Sequence, residues 1–294
     1  MENVKTNGDV IFYENNHIYV NAKNPDIRYT SVTTLIKDYH ELFDKEFWGG
    51  YKALENLMGK DFSLVKSYLL DKKKIDFEVS DLVDEEEYKK LKSTIMAEYD
   101  RKSFESSAYG TKIHKEKEEM FFRSEKINLQ DCGFLLHEGV YDCERNNYDL
   151  NRERAVLPEY LIYYSDNNIL HIAGQIDLLI KDGNDLYIYD YKTNENGIES
   201  KAYFDKKKKQ TKKMFFPLNN LEDTKLNHYT MQLSMYAWML KQINPEFNIK
   251  RLCLIHIDHS GTETEIDVPF KEEEVKRVLK SFTKKLKIKA LKDL

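Results

Sequence analysis

The chain is 294 residues long, 41% hydrophobic, and carries a formal net charge of -5 at pH 7. That length can bury a full core as one large domain or as a core with a subdomain. No apolar run approaches the roughly 20 residues a membrane helix needs, and Met1-Glu2-Asn3-Val4-Lys5 lacks the apolar stretch of a secretory signal.

In chain order, Val10-Ile11-Phe12-Tyr13 and His17-Ile18-Tyr19-Val20 flank Glu14-Asn15-Asn16 and predict a short hairpin. Ser31 or Thr33 then caps a helix running through Leu35 to about Phe47. The hydroxyls of Ser31, Thr33 and Thr34 serve either that cap or a phosphate. Lys52 to Met58 and Glu85 to Tyr99 have helical composition, with a mixed, charged stretch from Asp61 to Asp81 between them. Residues 1–100 therefore read as a mainly helical accessory region ahead of a core over 101–294. Tyr29, Tyr39, Phe43, Phe47 and Trp48 could stack on single-stranded bases, although aromatics at helical spacing mostly face inward.

The next helix carries Gly110-Thr111-Lys112-Ile113-His114-Lys115-Glu116-Lys117-Glu118, which stacks Gly110, His114 and Glu118 on one face. A neutral imidazole there can ligate a metal, and Glu118 can orient it or a bound water; a plain surface His-Glu pair is the alternative. Ile169 to Ile180 and Leu186 to Thr193 read as strands joined by Lys181-Asp182-Gly183-Asn184. A type I′ turn at Asp182-Gly183 would put Asp177 opposite Ile188 and Gln175 opposite Asp190. Asp177, Asp190 and Lys192 then share a face, with the aspartates diagonal neighbours roughly 7 to 8 Å apart at the backbone. Two carboxylates that a cation can bridge, with a lysine beside them, suit metal-assisted hydrolysis of a phosphodiester. The alternative is a solvated hairpin whose carboxylates face water.

Lysines crowd Lys206-Lys207-Lys208-Lys209-Gln210-Thr211-Lys212-Lys213, while acidic residues gather in Asp81 to Glu87 and Glu272 to Glu274. This uneven charge lets a negative chain carry a basic loop that gathers DNA, helped by Lys112, Lys115 and Lys117; a solvated linker is the alternative. Lys225 to Ile243 places Leu226, Tyr229, Leu233, Ala237 and Leu240 on an apolar stripe, with Gln232 and Tyr236 beside it to hold a base or a phosphate. Arg251 to Asp258 and Glu263 to Val268 read as paired strands around Ser260-Gly261. His256-Ile257-Asp258-His259 is not a metal site, because His259 falls at the turn. Lys271 to Leu294 reads as an amphipathic helix with Val275, Val278, Leu279, Phe282 and Leu286 inward.

Taken in order, Gly110-x3-His114-x3-Glu118, Pro158-Glu159, Gly174-x2-Asp177, Asp190-x-Lys192 and Gln232-x3-Tyr236 resemble the RecB-like branch of the PD-(D/E)XK nucleases over about two thirds of the chain. Thr30-Ser31-Val32-Thr33-Thr34-Leu35-Ile36 also resembles the opening segment of the mitochondrial genome-maintenance exonuclease and its phage relatives. The resemblance implies an α/β fold: a restriction-endonuclease-like core with a central mixed sheet flanked by helices. It further implies Mg²⁺ or Mn²⁺ held by His114, Asp177, Asp190 and the Tyr191 carbonyl, with Lys192 as the catalytic lysine. Glu159 matches a further acidic position; a two-residue turn in Ser165-Asp166-Asn167-Asn168 would face it away from Asp177, and a three- or five-residue loop toward it. Some relatives carry a four-cysteine iron-sulfur cluster, but Cys132, Cys143 and Cys253 are too few and unclustered, so neither a cluster nor a disulfide framework is expected. The expected activity is hydrolysis of DNA from single-stranded ends by a cytoplasmic monomer, in the host cytoplasm if phage-encoded. A structure-selective endonuclease using the same residues and a non-catalytic DNA-binding module are the rivals.

Overall fold

The computed structural model describes residues 4–166, 168–205 and 209–292. In chain order the elements are β1 (Val4–Asn7), β2 (Val10–Tyr13), β3 (Ile18–Asn21), β4 (Arg28–Ser31), α1 (Val32–Lys37), α2 (Lys45–Met58), α3 (Ser63–Lys72) and α4 (Glu85–Phe121). They continue with β5 (Lys126–Asn128), β6 (Val140–Cys143), β7 (Arg154–Ser165), β8 (His171–Asp182), β9 (Asp185–Lys192), β10 (Phe204–Asp205), β11 (Gln210–Thr211), α5 (Lys225–Ile243), β12 (Asn248–Ile257), β13 (Glu263–Asp267) and α6 (Glu272–Lys292). Contacts divide the chain into two compact units, Met1–Glu41 with Gly110–Leu294, and Leu42–Tyr109.

The smaller unit is helical. Asp44 caps α2 by accepting from the Phe47 amide, so the helix expected to run from Ser31 to Phe47 is two helices. The first is short, with the Ser31 hydroxyl accepting from the Thr34 amide as its cap. Phe47, Tyr51, Leu54, Phe62, Leu69 and Tyr88 form this unit's core, the inward reading of its aromatics, while Phe43 is 63% exposed.

The larger unit is built on a mixed sheet. Its path runs β1-β2-β3-β4-β8-β7-β6-β5, and β9, β12 and β13 branch from β8. Residues 4–31, read from the sequence as part of a mainly helical region, thus supply four strands to the sheet that carries the site, with β4 parallel to β8. Strand β9 continues through α5 into a parallel β12, which is a βαβ crossover. One sheet face packs on α1, α5 and α6, whose Val275, Val278, Leu279 and Phe282 are buried as their spacing predicts. Phe121, at the end of α4, Leu129 and Phe134 cover Leu178, Ile180, Tyr189 and Tyr191 on the other face. Helix α5 differs from its expected single stripe: from Thr230 to Leu240 every residue but Trp238 is buried, because it packs into the centre of the unit.

Two irregularities place the site. First, β8 changes neighbours along one edge: Ile172 and Ala173 pair with Thr30 and Ser31 of β4, and Leu178 to Asp182 pair with β9. Asp177 stands at that fork. Second, β7 and β8 swap faces together. Leu157 and Leu179 lie in the core under α5, as do Tyr160 and Ile176, although strict alternation would turn the second pair away. The pairing Pro158↔Leu178 and Tyr160↔Ile176 brackets Glu159, whose backbone is left-handed at φ 51°. A non-glycine residue there is strained by about 1 to 3 kcal/mol.

Candidate active site

The β8–β9 hairpin pairs Asp182 with Asp185, Lys181 with Leu186 and Leu179 with Ile188. This register is two residues away from the expected one, and the turn is Gly183-Asn184. Gly183 has φ 58° and Asn184 does not share the positive sign, the pattern of a type II′ turn with glycine first. A two-residue shift preserves which face each side chain takes, and it moves Asp177 from a diagonal position to the level of Asp190. The ladder stops at Leu178↔Tyr189, where Asp177 uses its side chain instead: Oδ2 accepts the Tyr191 amide at 2.7 Å. The N–H and C=O of one strand residue point to the same edge, so the Tyr191 carbonyl faces the same gap.

Helix α4 approaches the open end of this hairpin at Gly110, where a Cβ would lie 3.3 Å from Thr193 Oγ1. One turn later His114 Nδ1 stands 3.5 Å from Asp177 Oδ1 and 3.7 Å from Glu159 Oε1. The donor atoms of His114, Glu159 and Asp177 all lie within 4.8 Å of one another. Glu159 reaches this cluster because Ser165 pairs with His171, the register of the five-residue alternative, and because its left-handed backbone sets it level with Asp177. A further turn along α4, Glu118 pairs with Lys5 at 3.5 Å.

Asp190 is 1% exposed. Gln232 Nε2 donates to its Oδ1 at 3.1 Å and to the Tyr236 hydroxyl at 3.2 Å, and the Lys192 ammonium lies against its Oδ2. Gln232 and Tyr236, expected to hold a base or a phosphate, are both buried, and it is Gln232 that meets the Asp190 carboxylate. Tyr236 fits because position 174 is glycine: a Cβ there would stand 2.6 Å from Tyr236 Cε1. Lys192 Nζ also sits 4.7 Å above the Tyr229 ring.

The electrostatics follow from this crowding. Burial pushes the Asp190 carboxyl up to about 6, with Lys192 opposing and Asp177 adding to the shift. Burial likewise raises Asp177, against the pull of His114. Asp177 raises His114 to about 9 despite burial. For Lys192, burial works against the charge, but Asp190 and Asp177 outweigh it. Three carboxylates this close repel one another. The oxygen-rich set of His114, Glu159 and Asp177, with one imidazole, is of the kind that can hold a divalent cation such as Mg²⁺ or Mn²⁺.

Other expected contacts lie elsewhere. Ser31 is buried at the start of α1, with its hydroxyl 3.2 Å from Thr33 Oγ1 and 2.7 Å from Thr34 Oγ1, which is the capping role. Lys206, Lys207 and Lys208 lie outside the described residues. Lys209 is exposed, whereas Lys212 bridges Glu41 and Asp223 and Lys213 meets Glu222. Lys117 pairs with Glu263. His256 Nε2 donates to the Asn194 carbonyl, 2.8 Å away, and the candidate metal clusters among the described residues include neither His256 nor Asp258. A cluster that the sequence did not signal joins His40, Asp223 and His228. Its imidazoles are stacked 3.8 Å apart at 15°, so their in-plane lone pairs do not converge, and Lys212 already neutralises Asp223. The cysteines are free thiols, and no helix among the described residues is long and apolar enough to cross a membrane.

Comparison with known proteins agrees with the geometry in one respect and is silent in others. No curated protein matches. A solved structure titled "Crystal structure of SSO0001" aligns at 19% identity over 42% of this chain and 48% of that one, about half its length, with a TM-score of 0.25; a likeness that slight carries no argument. The profile of the PD-(D/E)XK nuclease superfamily matches residues 70–292, a span that includes His114, Glu159, Asp177, Asp190, Lys192 and Gln232. The chain belongs to the PD-(D/E)XK nuclease superfamily.

Proposed function

We propose that the chain is a metal-dependent exonuclease that hydrolyses DNA from single-stranded ends, in replication, recombination or repair. The observation that carries this reading is the convergence of His114, Glu159 and Asp177 beside the Asp190–Lys192 pair. A divalent ion bound there supplies an activated water and polarises a phosphoryl oxygen. Lys192, fixed by Asp190 and the Tyr229 ring, donates hydrogen bonds to the attacking water and to the charge that grows on the phosphorane. Asp190 is held in place by Gln232 and Asp177 by the Tyr191 amide, so the carboxylates need little rearrangement as the phosphate reacts. His114 binds a cation as the neutral imidazole and must first release its proton.

Action at ends and membership of the RecB-like branch rest on the ordered motifs and on the resemblance of Thr30 to Ile36 to the mitochondrial exonuclease and its phage relatives. The free thiols suit a reducing cytoplasm, and a monomer is sufficient because every proposed ligand comes from one chain. The test is digestion of end-labelled linear and covalently closed circular single strands side by side. Linear strands should be degraded with Mg²⁺ or Mn²⁺ and spared with EDTA or by Asp190→Asn, and circles should persist. Efficient linearisation of circles would make the protein an endonuclease. Undiminished cleavage by Asp177→Asn or Asp190→Asn would remove the proposed site.

A further inference from the structure

In the larger unit the Phe, Tyr and Trp side chains are buried or half-buried, with a single group of exceptions. Among its described residues the exposed ones are Tyr203, Phe204, Phe215 and Phe216, at 69%, 51%, 49% and 77%. All four lie on the meander around β10 and β11. Phe204 pairs with Thr211, so those two side chains share a face, and Thr211 and Lys213 both reach Glu222 on it. Met214 turns inward and is buried, which turns Phe215 to the same side as Lys213. The meander is also tied to the candidate site. The Asn194 side chain accepts the Tyr229 hydroxyl at 3.2 Å, the Glu199 carbonyl accepts the Leu226 amide, and Asp223 meets His228 at 2.7 Å, so both ends of this segment are fixed on the first turns of α5. Tyr229 there is the ring against Lys192.

The surroundings of these rings are cationic. Lys201, Lys209 and Lys213 are exposed in the same segment, whereas Pro217 and Leu218, the aliphatic residues that follow Phe216, are buried. Interface cores between proteins are depleted in lysine. Exposed aromatic rings set among lysines match instead a polyanion with flat apolar faces, which is what unpaired DNA is: its phosphates meet the cations, and every base offers a π-face to a ring whatever the sequence. Resting on the reading that the chain acts on single-stranded DNA, we propose that Tyr203, Phe204, Phe215 and Phe216 form a platform on which bases of the strand stack outside the cleavage site. The platform binds substrate and takes no part in bond cleavage.

The test is fluorescence anisotropy with a labelled single-stranded oligonucleotide and with an abasic strand of the same length and charge, in an Asp190→Asn background so that binding is read without turnover. Phe204→Ala combined with Phe215→Ala should weaken binding of the oligonucleotide by at least about 5-fold for each ring, about 25-fold together. The loss should be equal at low and high salt, because stacking releases no counterions. Binding of the abasic strand should not change. Phe204→Tyr with Phe215→Tyr should keep the affinity, and Phe204→Leu with Phe215→Leu should lose it, since a ring is required and not merely an apolar surface. Tyr203→Ala with Phe216→Ala, at the two most exposed rings, is the second variant should the first not fold. Unchanged affinity in a folded alanine variant, or an equal loss on the abasic strand, overturns the platform. A wild type that degrades DNA while the alanine variants bind it undiminished sinks the platform alone; a wild type that neither binds nor degrades DNA sinks the reading of function, and this inference with it.

Discussion

His114 and Asp190 are held in protonation states that a metal must displace. With His114 at about 9 and Asp190 at about 6, cation binding releases a proton from the histidine at neutral pH. The logarithm of Mn²⁺ affinity should therefore rise with pH at a slope of about one between pH 6 and 9, and level off above that. His114→Asn should abolish the slope, and calorimetry in several buffers would read the proton release directly. The sign for stability is the reverse. The folded value of His114 is raised, so its contribution is complete below about pH 6.5 and is lost as pH climbs through 9. EDTA-treated protein should lose thermal stability over that range, and Mn²⁺ should restore it. On the proposed role of Lys192 as a donor to the reacting phosphate, Lys192→Ala should retain metal and DNA binding while turnover falls at least about 100-fold, as expected when one preorganised donor worth about 2.7 to 4 kcal/mol is deleted. Weak DNA binding with a normal rate constant in single-turnover measurements would reduce Lys192 to a phosphate anchor.

At the level of elements, the hairpin and the helix motifs were legible because their signals are local. Gly110, His114 and Glu118 repeat at the helical period, and Asp190 and Lys192 alternate on a strand. The register of the hairpin was less legible. A glycine with positive φ satisfies the second position of a type I′ turn or the first of a type II′ turn, and Asp182-Gly183-Asn184 permits both. The face swap at Glu159 and Asp177 has no sequence signature at all, since a glutamate gives no warning of a left-handed backbone. The pairing of Lys5 with Glu118 was equally invisible, because only the sheet brings the first strand beside that helix. Gly174 was visible as a motif residue, and the structure adds its physical reason, the Tyr236 ring packed against it. Gly174→Ala should displace that ring, cost about 1 to 3 kcal/mol by overpacking, and disturb Asp190 through Gln232. Urea unfolding of Gly174→Ala alone and combined with Tyr236→Leu would check this, with the second change recovering part of the loss.

Across the whole molecule, a net charge of -5 means that attraction to DNA must be local. Superfamily members act on DNA as metal-dependent nucleases, and the lysine run remains the basic segment that the sequence offers for collecting it. The ion pairs of Lys212 and Lys213 with Glu41, Asp223 and Glu222 leave those two lysines little to add. Replacing Lys206, Lys207, Lys208 and Lys209 by alanine in an Asp190→Asn background should flatten the log-log salt dependence of single-strand binding by about 2. That corresponds to about three phosphate contacts at about 0.7 each. Adding Lys212→Ala and Lys213→Ala should change it further by less than one contact's worth. An unchanged slope in the four-alanine variant would assign the run to another task.

The fork in β8 also sets an order of events during synthesis. Strand β4 emerges early but must wait for Ile172 and Ala173 before it has its parallel partner, an interval of roughly ten seconds or more at the usual pace of translation. The fork cannot close until β9 follows, and Asp190 lacks Gln232 until α5 is out of the ribosome. A nascent chain therefore holds its histidine helix and its first acidic residues long before it holds a finished centre. The centre is finished only once α5 has been made and Gln232 can hold Asp190.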